Sequence, residues 1–118
     1  MLIVDDNERN AKLTRDVLEA AGMSTLTAST AIGGLALANT QQPHLVLMDL
    51  RLPDLDGIEA ARRLRADAAT AHIPVVALSA TPVEEADDWL RGEYFNGYIE
   101  KPVDVRDLPA RVRSYCGA

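Results

Sequence analysis

One cysteine, Cys116, occurs in the 118 residues, so no disulfide can form within the chain. A lone thiol fits a reducing compartment, and a cytoplasmic location is expected. Cys116 lies near the C-terminus, where nothing assigns it a catalytic role. Excess positive charge is also lacking, with 12 Lys and Arg against 18 Asp and Glu and a net charge of −6. Such a surface repels phosphate backbones, so direct nucleic-acid binding is not expected. Arg62, Arg63 and Arg65 come nearest to a basic patch and read as the solvated face of a helix. No apolar run approaches the roughly 20 residues that cross a bilayer, and no secretory signal pattern is present. Linkers, low-complexity stretches and internal repeats are absent, so residues 1–118 read as one domain.

Apolar residues make up 47% of the chain, which marks a globular protein with a sizeable core. They fall into short runs at Met1–Val4, Met23–Ala28, Leu45–Met48, Pro74–Leu78 and Gly97–Ile99. "LVLM" and "VVAL" are apolar without alternation, as strands covered on both faces are. Amphipathic stretches separate the runs. Asn7 can cap a first helix carrying Leu13, Val17 and Leu18, and Gly22 can end it. Thr30 can cap a second, with Ile32, Leu35 and Ala36 on one face, although Gly33 and Gly34 each cost about 1 kcal/mol relative to alanine. Ile58, Ala61 and Leu64 mark a third. Pro82, Glu84 and Glu85 suit the first turn of a fourth. Leu108, Val112 and Tyr115 stripe a fifth, where Pro109 is tolerated in the first turn. Five strands alternating with helices form an α/β fold with a parallel sheet.

The polar residues concentrate where the strands end. Asp5 and Asp6 follow the first, Asp49 the third, Ser79 the fourth, and Lys101 and Pro102 the fifth. In an open parallel sheet these ends share one edge, where ligands bind at the reversal of strand order. Carboxylates gathered within about 4–5 Å repel by a few kcal/mol per pair at an effective dielectric near 20, so a cation is required among them. Hard oxygen donors that leave positions open to water suit Mg²⁺. Lys101 and Ser79 can serve phosphoryl oxygens, Lys101 as a point charge and Ser79 as a hydrogen-bond donor. The set therefore points to phosphoryl transfer onto a carboxylate, and Asp49 at the end of the central strand is the nucleophile expected. Asp54 and Asp56 read as shaping the following turn, with Asp56-Gly57 leading into the third helix.

With "VDD" (Val4–Asp6), "MDLRLPDLDG" (Met48–Gly57), "ALSA" (Ala77–Ala80) and "YIEKP" (Tyr98–Pro102) at successive strand ends, the whole chain resembles the receiver domain of bacterial two-component response regulators. "VDDNERN" is also similar to single-domain, CheY-like regulators of the cell-cycle type. The resemblance implies a flavodoxin-like, doubly wound sheet of five parallel strands in the order 2-1-3-4-5, with five helices. It implies that a sensor histidine kinase or phosphotransfer protein donates phosphate to Asp49. Asp6 and Asp49 would hold Mg²⁺ directly, Asp5 through water, and Arg51 through its backbone carbonyl. The Lys101–Pro102 peptide bond would be cis. Ser79 and Tyr98 would form a switch, and the fourth helix, fifth strand and fifth helix would present a surface to a downstream protein. Such a module catalyses only its own phosphorylation and dephosphorylation.

Two features depart from the usual pattern of that family. Arg51 occupies a side-chain position that faces the phosphoryl group, and Tyr94 and Phe95 stand where small residues are common. With Trp89 they are expected to form an aromatic cluster near the partner surface. The alternative function is a haloacid-dehalogenase-type phosphatase, which also uses an aspartate after a strand. That class wants a second acid two residues later, where this chain has Arg51. A flavodoxin-like cofactor binder would want a Gly, Ser and Thr loop after the first strand, where "DDNERN" stands. His44 and His72 flank strand starts, away from the acidic edge, and are expected to be structural.

Overall fold

The computed structural model describes residues 1–79, 94–100, 104 and 106–115, with Ser79 by its backbone. Five strands form one sheet: β1 (Leu2–Val4), β2 (Leu26–Ala28), β3 (Val46–Asp49), β4 (Val75–Ser79) and β5 (Gly97–Glu100). All four pairings are parallel and the order is β2-β1-β3-β4-β5, as expected. The described helices are α1 (Glu8–Ala20), α2 (Ala31–Gln41), α3 (Gly57–Ala66) and a C-terminal helix, α4 (Leu108–Tyr115). The helix expected from Pro82, with Glu84, Glu85 and Trp89, lies outside the described residues, as do Lys101, Pro102 and Cys116.

Alternation along the strands sorts the core into two layers. Leu2, Val4, Val46, Met48, Val75 and Ala77 face one way, against Ala31 and Ala38 of α2 and Ala60, Ala61 and Leu64 of α3. Ile3, Leu47, Val76, Leu78 and Ile99 face the other, against Leu18 of α1 and Leu108 and Val112 of α4. Both faces of β1, β3 and β4 are thereby sealed, which is why their sequences carry no polar alternation. Edge strand β2 is more open, and Leu26 is 37% exposed.

Helix boundaries follow local chemistry. The Asn7 side chain accepts from the N–H groups of Arg9 and Asn10, and Gly22 leaves α1 at φ +88°. Thr30 caps α2 by accepting from Gly33 N–H, and Asp56 caps α3 by accepting from Ile58 N–H. Two helix faces differ from expectation. Leu13 is 49% exposed, while α1 buries Thr14 along with the expected Leu18; Ile32 is 53% exposed and Ala36 is exposed, because α2 buries Ala31, Gly34 and Ala38. Side-chain size misleads in α2, where close approach to the sheet selects small residues. A Cβ on Gly34 would stand 2.7 Å from a Val4 methyl carbon.

Arg65 and the aromatic residues also require correction. Arg62 and Arg63 are solvated and paired with Glu59, whose pKa is lowered to about 2, chiefly by the Arg62 hydrogen bond. Arg65 instead turns beneath the sheet. Its guanidinium donates to the carbonyls of Ala71 (2.8 Å), Ile73 (2.9 Å) and Tyr94 (3.2 Å) and to the Asn96 side chain. Burial pulls its pKa below the usual arginine value. Phe95 is buried in the core on the α2–α3 side and Tyr94 packs against that core, while Trp89, the third member of the expected aromatic cluster, lies outside the described residues.

Candidate functional site

Strand register brings the acids together. Val4 pairs with Met48, so Asp5 and Asp49, the residues following them in β1 and β3 order, emerge side by side at the carboxyl edge of the sheet. Asp49 pairs with Leu78, and the next residue, Ser79, pairs with Glu100 at the ends of β4 and β5. Carboxylate oxygens of Asp5, Asp6 and Asp49 lie within 4.8 Å of one another. Asp5 and Asp49 are buried and Asp6 is exposed, which leaves the group one face toward water.

Backbone geometry holds these carboxylates. Asp5 N–H donates to the Ala28 carbonyl (3.0 Å), and Asp5 Oδ1 accepts from Asn7 N–H (2.9 Å). Asp49 Oδ1 accepts from Arg51 N–H (3.0 Å), while Leu50 N–H reaches the Leu78 carbonyl (3.3 Å). A hard divalent cation is the partner that such an all-oxygen set fits.

Gly57 is a site residue that the sequence shows only as turn chemistry. Its N–H donates to the Leu50 carbonyl (3.1 Å), and α3 begins directly against the end of β3. A Cβ here would meet the Asp49 carbonyl oxygen and stand 2.6 Å from Leu50 Cα. Asp54 does more than the sequence suggests. Its two oxygens accept from Ala31 N–H (2.8 Å) and Ile32 N–H (2.9 Å), so besides lying in its own turn it holds the start of α2. Those hydrogen bonds, led by Ile32, lower the Asp54 pKa. An Asp-Gly pair before a helix is the available signal for Gly57; no local signal links Asp54 to N–H groups 22 and 23 residues earlier in the chain.

The other expected site residues are placed as follows. Arg51 is exposed at the site edge, in the loop leaving β3. Tyr98 pairs with Ala77 and is half-buried against the core on the α2–α3 side, while its carbonyl accepts from Arg111 (2.8 Å). Ser79 lies at the carboxyl end of β4 by its backbone register. His44 and His72 are exposed. No helix among the described residues is long and apolar enough to cross a membrane.

Comparison with known proteins agrees with this arrangement. The family model described as "Response regulator receiver domain" matches residues 1–113. The polar-differentiation response regulator DivK of Brucella ovis is 37% identical over 117 residues, covering 99% of this chain and 95% of that protein. A CheY-like receiver domain protein from Methanospirillum hungatei superposes with a TM-score of 0.88 at 28% identity, covering 98% of this chain and 91% of that one. The receiver domain of sensor histidine kinase PA1611 from Pseudomonas aeruginosa, with magnesium in its active-site cleft, gives 0.89 at 29% identity, covering 99% and 96%. These matches give the phosphatase alternative no support. The chain belongs to the response regulator receiver domain family and is a signalling module of the two-component class.

Proposed function

We propose that residues 1–118 form a receiver domain in which Asp49 accepts a phosphoryl group from a phosphohistidine of a sensor histidine kinase or phosphotransfer protein. An Asp49 carboxylate oxygen forms the new P–O bond as the P–N bond breaks, and the imidazole leaves carrying a proton from solvent. The observation that carries this reading is the convergence of Asp5, Asp6 and Asp49 within 4.8 Å. Asp6, Asp49 and the Arg51 carbonyl would hold Mg²⁺ directly, with Asp5 acting through water. The ion supplies charge neutralisation for the approaching phosphoryl oxygens. Asp5 and Asp49 are buried enough to keep fixed orientations, while the exposed Asp6 leaves room for a donor.

Lys101 would take a second phosphoryl oxygen and Ser79 a third, with a cis bond before Pro102. Phosphorylation adds about −1.5 to −2 of charge and new acceptor oxygens, which would draw Ser79 and let Tyr98 turn inward. The half-buried position of Tyr98 on the fifth strand supports that role. The fourth expected helix, β5 and the C-terminal helix would then present an altered surface to a downstream protein. The domain catalyses only its own phosphorylation and dephosphorylation, acts in the cytoplasm and does not bind nucleic acid directly.

Incubation with Mg²⁺ and a small-molecule phosphodonor, followed by intact mass measurement, tests the reading. A single phosphoryl adduct is expected in the native chain and none in Asp49→Asn. An adduct of equal yield in Asp49→Asn would assign the chemistry elsewhere.

A further inference from the structure

We infer that Asp54 is a positioning residue for the metal, fastening the loop that follows Asp49 to the start of α2. This rests on the proposed Mg²⁺ site. Both Asp54 oxygens are used, one on Ala31 N–H at 2.8 Å and the other on Ile32 N–H at 2.9 Å. A two-point attachment fixes orientation as well as distance. The loop it holds runs from Asp49 to Gly57 and is anchored at its inner end by Arg51 N–H on Asp49 Oδ1 and by Gly57 N–H on the Leu50 carbonyl. Leu52 and Leu55 pack half-buried against the core beneath it. Asp54 adds the outer polar anchor, and Arg51, whose carbonyl is the proposed metal ligand, lies three residues before it.

A carbonyl ligand on a held loop binds without the cost of ordering that loop. Released from α2, the loop must be ordered when the metal enters, so metal affinity falls while the carboxylates remain. Asp54 is exposed and touches neither the acids nor the incoming phosphoryl group by this account, so its effect belongs to metal affinity and not to the chemical step.

Calorimetric Mg²⁺ titration of the full chain tests this with three variants. Asp54→Ala should weaken Mg²⁺ binding roughly tenfold, and its phosphoryl adduct should recover to the native rate once Mg²⁺ is saturating. Asp54→Asn keeps one acceptor oxygen and should fall between. Thr30→Val removes the hydroxyl that accepts from Gly33 N–H, loosening the α2 start without releasing the loop, and should leave Mg²⁺ affinity unchanged. Native affinity in Asp54→Ala, or equal weakening in Thr30→Val, would overturn the inference. If Asp54→Ala does not fold, Asp54→Asn against Thr30→Val decides by the same comparison. A native chain that binds no Mg²⁺ would overturn the metal site itself together with this role for Asp54.

Discussion

At Gly57 a single hydrogen atom decides whether α3 can begin where it does. A methyl group there would press on the Asp49 carbonyl oxygen and Leu50 Cα, both backbone atoms at the end of the central strand. Neither can yield without moving Asp49. Gly57→Ala is expected to destabilise the domain by about 1–3 kcal/mol, as overpacked sites do, and to slow phosphorylation of Asp49. Urea unfolding with an unchanged midpoint would show that the strand end accommodates the methyl group. Asp56, one residue earlier, has a different task, since its carboxylate caps α3 through Ile58 N–H at 2.8 Å. Adjacent residues of one turn thus divide the work: one starts the helix and the other lets it approach Asp49.

Elements are joined at the opposite edge by Arg65. From the end of α3 it donates to the carbonyls of Ala71 and Ile73, ahead of β4, and of Tyr94, ahead of β5. Asn96, which receives Arg65, also accepts from Val75 N–H (3.0 Å) and donates its own N–H to the Val75 carbonyl (2.7 Å). This knot sets where β5 starts and therefore where Tyr98 stands along it. Arg65→Ala leaves several part-buried carbonyls without a charged donor, and a loss of about 1–3 kcal/mol is expected. Amide exchange should rise first at Val75 and Asn96. Exchange and stability equal to those of Arg62→Ala, which removes only a surface partner of Glu59, would show that the knot is idle.

For the molecule as a whole, the proposed metal site makes stability depend on Mg²⁺. Mg²⁺ binding to the folded state alone should stabilise it by about 2.7 kcal/mol at a hundred times the dissociation constant. For a domain of this size each kcal/mol raises Tm by roughly 4 °C. Thermal unfolding across an Mg²⁺ series should therefore shift upward, and Asp49→Asn should flatten the series. A native Tm independent of Mg²⁺ would remove the metal from the account. The three carboxylates sit at one rim, while the strands that lead to them are sealed between two helical layers.

Much of this architecture is written locally. Apolar runs without alternation announce buried parallel strands, caps at Asn7, Thr30 and Asp56 need only neighbouring N–H groups, and an acid after a strand end lies at the sheet edge whatever the side chains elsewhere do. Asp5, Asp6 and Asp49 could therefore be grouped before any coordinates, and register then set their spacing. Leu13, Ile32 and Arg65 could not be placed in that way. Hydrophobicity and charge say what a side chain prefers; the distance between helix and sheet says what fits, and around α2 that distance admits glycine and alanine while leaving Ile32 outside. Asp54 on α2, Arg65 under β5 and Gly57 against Asp49 are contacts with backbone groups that other elements deliver, and only the packed chain brings those groups within reach.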